Sequence, residues 1–312
     1  MPTSPHQEQT LFDRPTPAQR STRILLSLVL VGILLIHSWW FFGAMFLMAG
    51  AFVLNGISGR WRDWAIWIGM LVGFALFADL RASMGVAVEM RPLFLYAIRL
   101  ETLGGRLPLP TLWLQEHLQS GLLDALSTAV YISFFIVPQV AVVYLWRVGG
   151  PFPRYVTAAC ILFATSLVIH FVAPTAPPWM ASEAGLLPPL DRIAIRVLSA
   201  TSASLTEGGY QASANDVAAM PSVHQGLTVL AMIALARHDP RARWTGWVYS
   251  ALMLFAITYL GEHYAVDGVV GAAIAWGAWM LAGRISENHQ GAGRAMTGPR
   301  GNAPVSAEPS AK

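Results

Sequence analysis

The sequence predicts an all-α fold, a polytopic integral membrane helix bundle of about eight spans with an added interfacial helix. Hydrophobic residues make up 55% of the 312 residues and charged residues only 12%, far from the balance of a water-soluble domain, and the mean hydropathy is +0.51. The apolar residues fall in runs near the roughly 20 residues that cross a bilayer as one helix. The basic residues are 19 arginines and a single lysine, Lys312, gathered mainly in short loops. That is a topology signal rather than the basic patch of a nucleic-acid binder. One cysteine, Cys160, excludes a disulfide framework or a thiolate metal site within one chain.

In chain order, residues 1–20 are polar and Pro-rich and are expected to form a disordered cytoplasmic tail. The apolar run from Ile24 to Ile57 holds His37-Ser38-Trp39-Trp40 at its middle, so residues 21–59 read as a helical hairpin with tryptophans at an interface. Its first part has the length of a signal-peptide core, but the run continues without a cleavage site and reads as an anchor. Further spans are expected at 63–81, 122–146, 155–173, 223–236, 245–262 and 265–283, and residues 284–312, rich in Gly, Ala, Ser and Pro, read as a second disordered cytoplasmic tail. Between the third and fourth spans, Pro110 to Leu118 reads as an amphipathic helix on the membrane surface, capped by Thr111 and framing a lipid entrance.

The arginines order these spans. Arg14, Arg20 and Arg23, then Arg60 and Arg62, Arg147 and Arg154, Arg237, Arg241 and Arg243, and finally Arg284 all fall on one side, the cytoplasmic side by the positive-inside rule. Both termini are then inside. The long loops 82–121 and 174–221 and the turn at 261–264 face outward, and loops of that length in a compact membrane protein usually carry function.

Two clusters lie on that outer side. Met220-Pro221-Ser222-Val223-His224-Gln225-Gly226 places a hydroxyl, an imidazole and backbone N–H groups at a helix start, with Pro221 expected at the first helical position; such an N-terminus attracts an oxyanion. In Gly261-Glu262-His263-Tyr264-Ala265-Val266-Asp267-Gly268, His263 and Asp267 are four apart and share a helix face, where the carboxylate can hold the imidazole in one tautomer. Taken singly, each cluster also fits a plainer role, a helix-capping serine and an interfacial histidine.

Together they resemble the P-S-x-H and H-x3-D motifs of the type-2 phosphatidic acid phosphatase superfamily of integral membrane lipid-phosphate enzymes. Ala173-Pro174-Thr175-Ala176-Pro177-Pro178-Trp179, Pro110-Thr111-Leu112-Trp113-Leu114-Gln115 and Gly261-Glu262-His263-Tyr264 resemble more narrowly its bacterial branch related to fungal inositol phosphorylceramide synthase. The likeness covers roughly residues 60–283, which would form a lipid-phosphate phosphatase or phosphotransferase domain with a six-helix catalytic core. It implies a phosphohistidine mechanism, with His263 as nucleophile, Asp267 as its orienting carboxylate and His224 as general acid and then base. Ser222 and Gly226 would contribute to phosphate binding. The side chains suit these parts: a neutral imidazole is a nucleophile at neutral pH, and a second one can give and take a proton.

The chain departs from the superfamily pattern at two cations. Met90-Arg91-Pro92 resembles the end of a Lys-x6-Arg-Pro motif, but position 84 is Met, and Ile257 stands six residues before His263 where an arginine is usual. Arg81 is the first candidate to replace them at the phosphate, followed by Arg91, Arg99 and Arg106. Asp79 and Asp124 are either functional or structural partners of an outer-loop arginine. His170 reads as a packing residue, His37, His117 and His238 as interfacial, and Asn215 as a turn residue. No cofactor and no metal is expected.

The expected function is transfer of a phosphoryl or phospho-alcohol group, with inositol phosphate one candidate, from a phospholipid or polyprenyl-phosphate substrate at the extracytoplasmic face of a cell membrane. The acceptor is either another alcohol or, in a lipid-phosphate phosphatase, water. A lipid transporter or scramblase would instead place its charges near the midplane, and a structural subunit would leave both histidine motifs without a role.

Overall fold

Apolar runs separated by proline and glycine set the helix boundaries in the computed structural model, which describes residues 63–64, 66–71, 90–202 and 218–296. Among the described residues the helices are α1 (Met90–Glu101), α2 (Pro110–Leu118), α3 (Gly121–Ser133), α4 (Val137–Arg147), α5 (Phe152–Val172), α6 (Pro178–Glu183), α7 (Ile193–Ser202), α8 (Val223–His238), α9 (Ala242–Tyr259) and α10 (Ala265–Met296). Proline sits in the first turn of α2, α4, α5 and α6, where its missing N–H leaves no intrahelical bond unmade. A parallel bridge pairs Thr175 with Ala218. The tail expected at 1–20, the hairpin expected at 21–59 and residues 297–312 lie outside the described residues, while residues 284–296 of the expected second tail continue α10.

Helices α5, α8 and α10 form the centre, with α4 packed against α8. Their shared core includes Tyr155, Leu162, Leu227, Leu230 and Trp279, and a short helical stretch at residues 66–71 adds Trp67 to it. Small residues at the contact, among them Ala159, Ala231, Ala234 and Ala278, let the backbones approach closely. A second core joins α3, α7 and α9 through Tyr131, Ile193, Met253 and Tyr259. The outer faces carry large apolar side chains, for example Leu122, Val140, Phe171, Trp247 and Trp276. Such a surface is stable against acyl chains rather than water.

Two helices among the described residues are long and apolar enough to cross a membrane, Phe152–Val172 and Ala265–Ser286. Over the span expected at 122–146, α3 and α4 meet at a 42° bend; taken as one span, the pair is long and apolar enough for a third crossing, and the same bend fits a re-entrant loop. Pro138 contributes to the break, since it has no N–H to continue the α3 ladder. At 16 residues α8 is short for an independent span, and α9, long enough at 18, is not among the helices that combine length with sufficient apolarity.

The interfacial helix differs from expectation. α2 has Leu109 at its N-cap, and Thr111 is not the cap but is fully buried. Its polar face points inward because Gln115 supplies donors and an acceptor that backbone ends need. Gln115 Nε2 donates to the carbonyls of Asp191 at 2.9 Å and Tyr259 at 2.8 Å, and its Oε1 accepts from Asp191 N at 3.0 Å. The helix is therefore pinned to the C-terminal end of α9, whose last carbonyls have no intrahelical partner, while Trp113 and Leu118 are exposed.

Candidate active site

α8 and α10 bring the two histidine motifs together. Gly271 makes the approach possible, since a Cβ there would lie 2.2 Å from the Ser222 carbonyl oxygen. At this crossing Ser222 N donates to the Asp267 carbonyl at 3.0 Å. α8 begins two residues later than the proline rule predicts, at Val223: Pro221 precedes the N-cap, and Ser222 is the cap, its Oγ accepting from Gln225 N at 3.4 Å. The Gly226 N–H is committed to the Ser222 carbonyl at 3.0 Å, so Gly226 serves the packing against Leu162 and α10. The N–H groups of Val223 and His224 remain at the open end of the helix, where the peptide dipoles leave a partial positive charge.

His263 lies in the turn between α9 and α10. Gly261, at φ +79°, reverses the chain there, and the Glu262 and His263 N–H groups both donate to the Ile257 carbonyl. The imidazole is buried. Its Nδ1 is 2.9 Å from the Ala219 carbonyl oxygen and 3.7 Å from Asp267 Oδ2. A carbonyl only accepts, so Nδ1 carries the hydrogen and the lone pair of a neutral His263 is on Nε2. Nε2 is 3.2 Å from Nδ1 of His224, which then donates to it.

His224 is half-buried in an aromatic enclosure. Tyr131 stacks on it with centroids 4.8 Å apart, and Phe134 lies at 4.4 Å. Both sit at or near the break between α3 and α4, so the paired imidazoles lie about 15 Å along α3 from its start, at 1.5 Å per residue over some ten residues.

The Ala173–Trp179 segment holds both motifs by their backbones. Ala219 N donates to the Thr175 carbonyl at 2.8 Å, and Trp179 N donates to the Gly261 carbonyl at 3.2 Å. Buried His170 places Nε2 3.1 Å from the Pro221 carbonyl, so it supports the P-S-x-H turn rather than packing alone.

The cations sort as follows. Arg81 lies outside the described residues, as does the Arg91 side chain, while Arg99 and Arg106 are exposed. Two arginines that the sequence reading did not single out form ion pairs among the described residues. Arg192 pairs with Glu262, Nε to Oε1 at 3.2 Å, and lies 3.8 Å from the centre of the Trp179 ring. Arg196 bridges Asp191 and Asp124 at 2.7 and 2.8 Å. Asp124, buried, also accepts from Tyr259 Oη, so it ties Arg196 of α7 to α9. His117 stacks on Trp113 and His238 meets Tyr144 edge-on, both away from the site. Sequence reasoning missed Tyr131, Phe134 and the Ala219 carbonyl, because no residue spacing marks a ring across helices or a backbone acceptor.

The chain is 24% identical over 163 residues to "Inositol phosphorylceramide synthase catalytic subunit aur1" of Schizosaccharomyces pombe and 25% identical over 164 residues to "Inositol phosphorylceramide synthase" of Candida albicans. These matches take in 49% and 50% of this chain but only 39% and 35% of the two relatives. No solved structure matches it significantly. The family description "PAP2 superfamily" matches residues 101–281. That stretch is more than half of the sequence and contains both histidine motifs, and the chain belongs to the PAP2 superfamily.

Proposed function

We propose that this protein is an integral membrane enzyme that moves a phosphoryl or phospho-alcohol group from a lipid through a phosphohistidine on His263. The observation that carries the reading is the paired imidazoles: His263 Nε2 faces His224 Nδ1 at 3.2 Å while Nδ1 is anchored on the Ala219 carbonyl. In the reaction, substrate enters between the two rings, the Nε2 lone pair attacks phosphorus and the bond to the leaving oxygen breaks. His224, entering this step as the imidazolium, gives that oxygen a proton and becomes neutral. His224 then takes a proton from the incoming alcohol or water, which attacks phosphorus, and the P–N bond breaks to restore His263. The positive charge that develops on His263 is met by the Ala219 carbonyl and the Asp267 carboxylate.

Around this centre we place Ser222, Arg81 and the open N-terminus of α8 at the phosphoryl oxygens. The domain at 60–283 supplies a six-helix catalytic core within about eight spans, with an extracytoplasmic site and cytoplasmic termini, as the arginine distribution supports. Transfer to an alcohol is favoured over hydrolysis because the two relatives are named as inositol phosphorylceramide synthases. The test is to incubate purified protein with radiolabelled phosphatidylinositol or phosphatidic acid, with and without an alcohol acceptor and without added metal. Label moving to the acceptor supports transfer, label released only to water makes the protein a phosphatase, and unchanged lipid contradicts both.

A further inference from the structure

We propose that Glu101 is a positioning residue of the histidine site, holding the first turn of α10 and with it Asp267 in place. This inference rests on the phosphohistidine reading. An α-helix starts with N–H groups that lack intrahelical acceptors. At the start of α10 the residue before the helix is Tyr264, whose side chain is no N-cap. Asp267 reaches back to Tyr264 N at 2.8 Å, and the Asp267 N–H is taken by the Tyr264 carbonyl at 3.1 Å. The N–H groups of Ala265 and Val266 are left, and both donate to Oε1 of Glu101, from the last turn of α1. A carboxylate 164 residues away thus completes the cap of the helix that carries Asp267.

Three buried oxygens near this cap, Glu101 Oε2, Tyr264 Oη and Asp267 Oδ1, have no hydrogen-bond partner among the described residues. The charged and titratable groups facing Glu101 are Asp267 and Tyr264; Arg99 on its own helix is exposed, and Ala97, Leu109, Leu187 and Met220 make the neighbouring surface apolar. Burial, and then the Asp267 charge, push the Glu101 carboxyl up to about 7 against the pull of its two backbone donors. The folded protein therefore keeps a proton on Glu101 that the unfolded chain releases at lower pH. That stabilising contribution is present at acid pH and is lost as pH rises through about 7. Above it, Glu101 is a second negative charge behind the pair that stabilises a phosphorylated, positively charged His263.

The test compares wild type, Glu101→Ala and Glu101→Gln for lipid turnover, phosphoenzyme level and thermal midpoint from pH 6 to 8.5. Glu101→Ala should lower kcat at least about tenfold with KM changed much less. Glu101→Gln keeps an acceptor oxygen without the charge, so it should match wild type within about threefold at pH 6 and fall about tenfold below it at pH 8. Should Glu101→Ala not fold, the Glu101→Gln pH profile decides. A Glu101→Gln profile parallel to wild type, or a folded Glu101→Ala with wild-type kcat, overturns the proposal while a labelled wild-type His263 leaves the phosphohistidine reading standing. A wild type that forms no phosphoenzyme removes that reading and this inference with it.

Discussion

The hydrogen on His263 Nδ1 and the lone pair on Nε2 follow from one backbone oxygen, that of Ala219, and in the proposed mechanism they fix which nitrogen attacks phosphorus. His263→Ala is therefore expected to abolish both turnover and phosphoenzyme. His224→Ala should lose about a hundred- to ten-thousandfold with lipid, yet still form phosphoenzyme from a nitrophenyl phosphate ester, whose leaving group needs no proton. Asp267→Asn should lie between them, since Asp267 stands 3.7 Å from Nδ1 and shares the tautomer task with Ala219. Rates and trapped label with the two substrates check the series. For phosphate binding, Arg81→Ala should cost roughly ten- to hundredfold in kcat/KM, the worth of a charge-assisted contact of about 1.5–3 kcal/mol. Arg106→Ala, at an exposed position, should cost less than threefold on the order of a surface substitution; equal, small effects would show that neither replaces the missing cations. The His and Asp residues were legible because each motif is local in sequence, whereas the acceptor on Nδ1 is a main-chain atom 44 positions away and leaves no residue signature.

At the scale of elements, the site depends on how closely α10 crosses the start of α8. Gly271→Ala would put a methyl group on the Ser222 carbonyl and push the motifs apart, and a displacement near 1 Å can cost about a hundredfold in rate. Gly277→Ala, on the same helix with nothing within 4 Å of the added carbon, should keep activity and hold or raise the thermal midpoint. Comparable losses in the two variants would mean that the helix tolerates no alanine anywhere, and that the crossing is not special. Helix order was readable from apolar periodicity and prolines. The break between α3 and α4 was not, since its composition is as apolar as an unbroken span, and neither was the inward polar face of α2, because Gln115 answers to carbonyls on α9 and the loop before α7 that come much later in the chain.

At the scale of the molecule, the arginines at the ends of α4, α8 and α10 and the histidine pair at the start of α8 lie at opposite ends of the bundle's helices. Under the positive-inside rule this arrangement supports the proposed extracytoplasmic site. In a Cys160→Ala background, an impermeant thiol reagent on intact cells should label Glu183→Cys and spare Arg241→Cys; the reverse pattern would turn the site to the cytoplasm. The central claim is the covalent one, and its most direct measurement is trapping: wild-type protein is quenched in denaturant during turnover of a phosphorus-labelled lipid and its peptides are mapped. The account predicts an acid-labile, base-stable label on the peptide carrying His263, absent from His263→Ala and still formed by His224→Ala with the nitrophenyl ester. Label on His224 that persists in His263→Ala, or full turnover by His263→Ala, would contradict it.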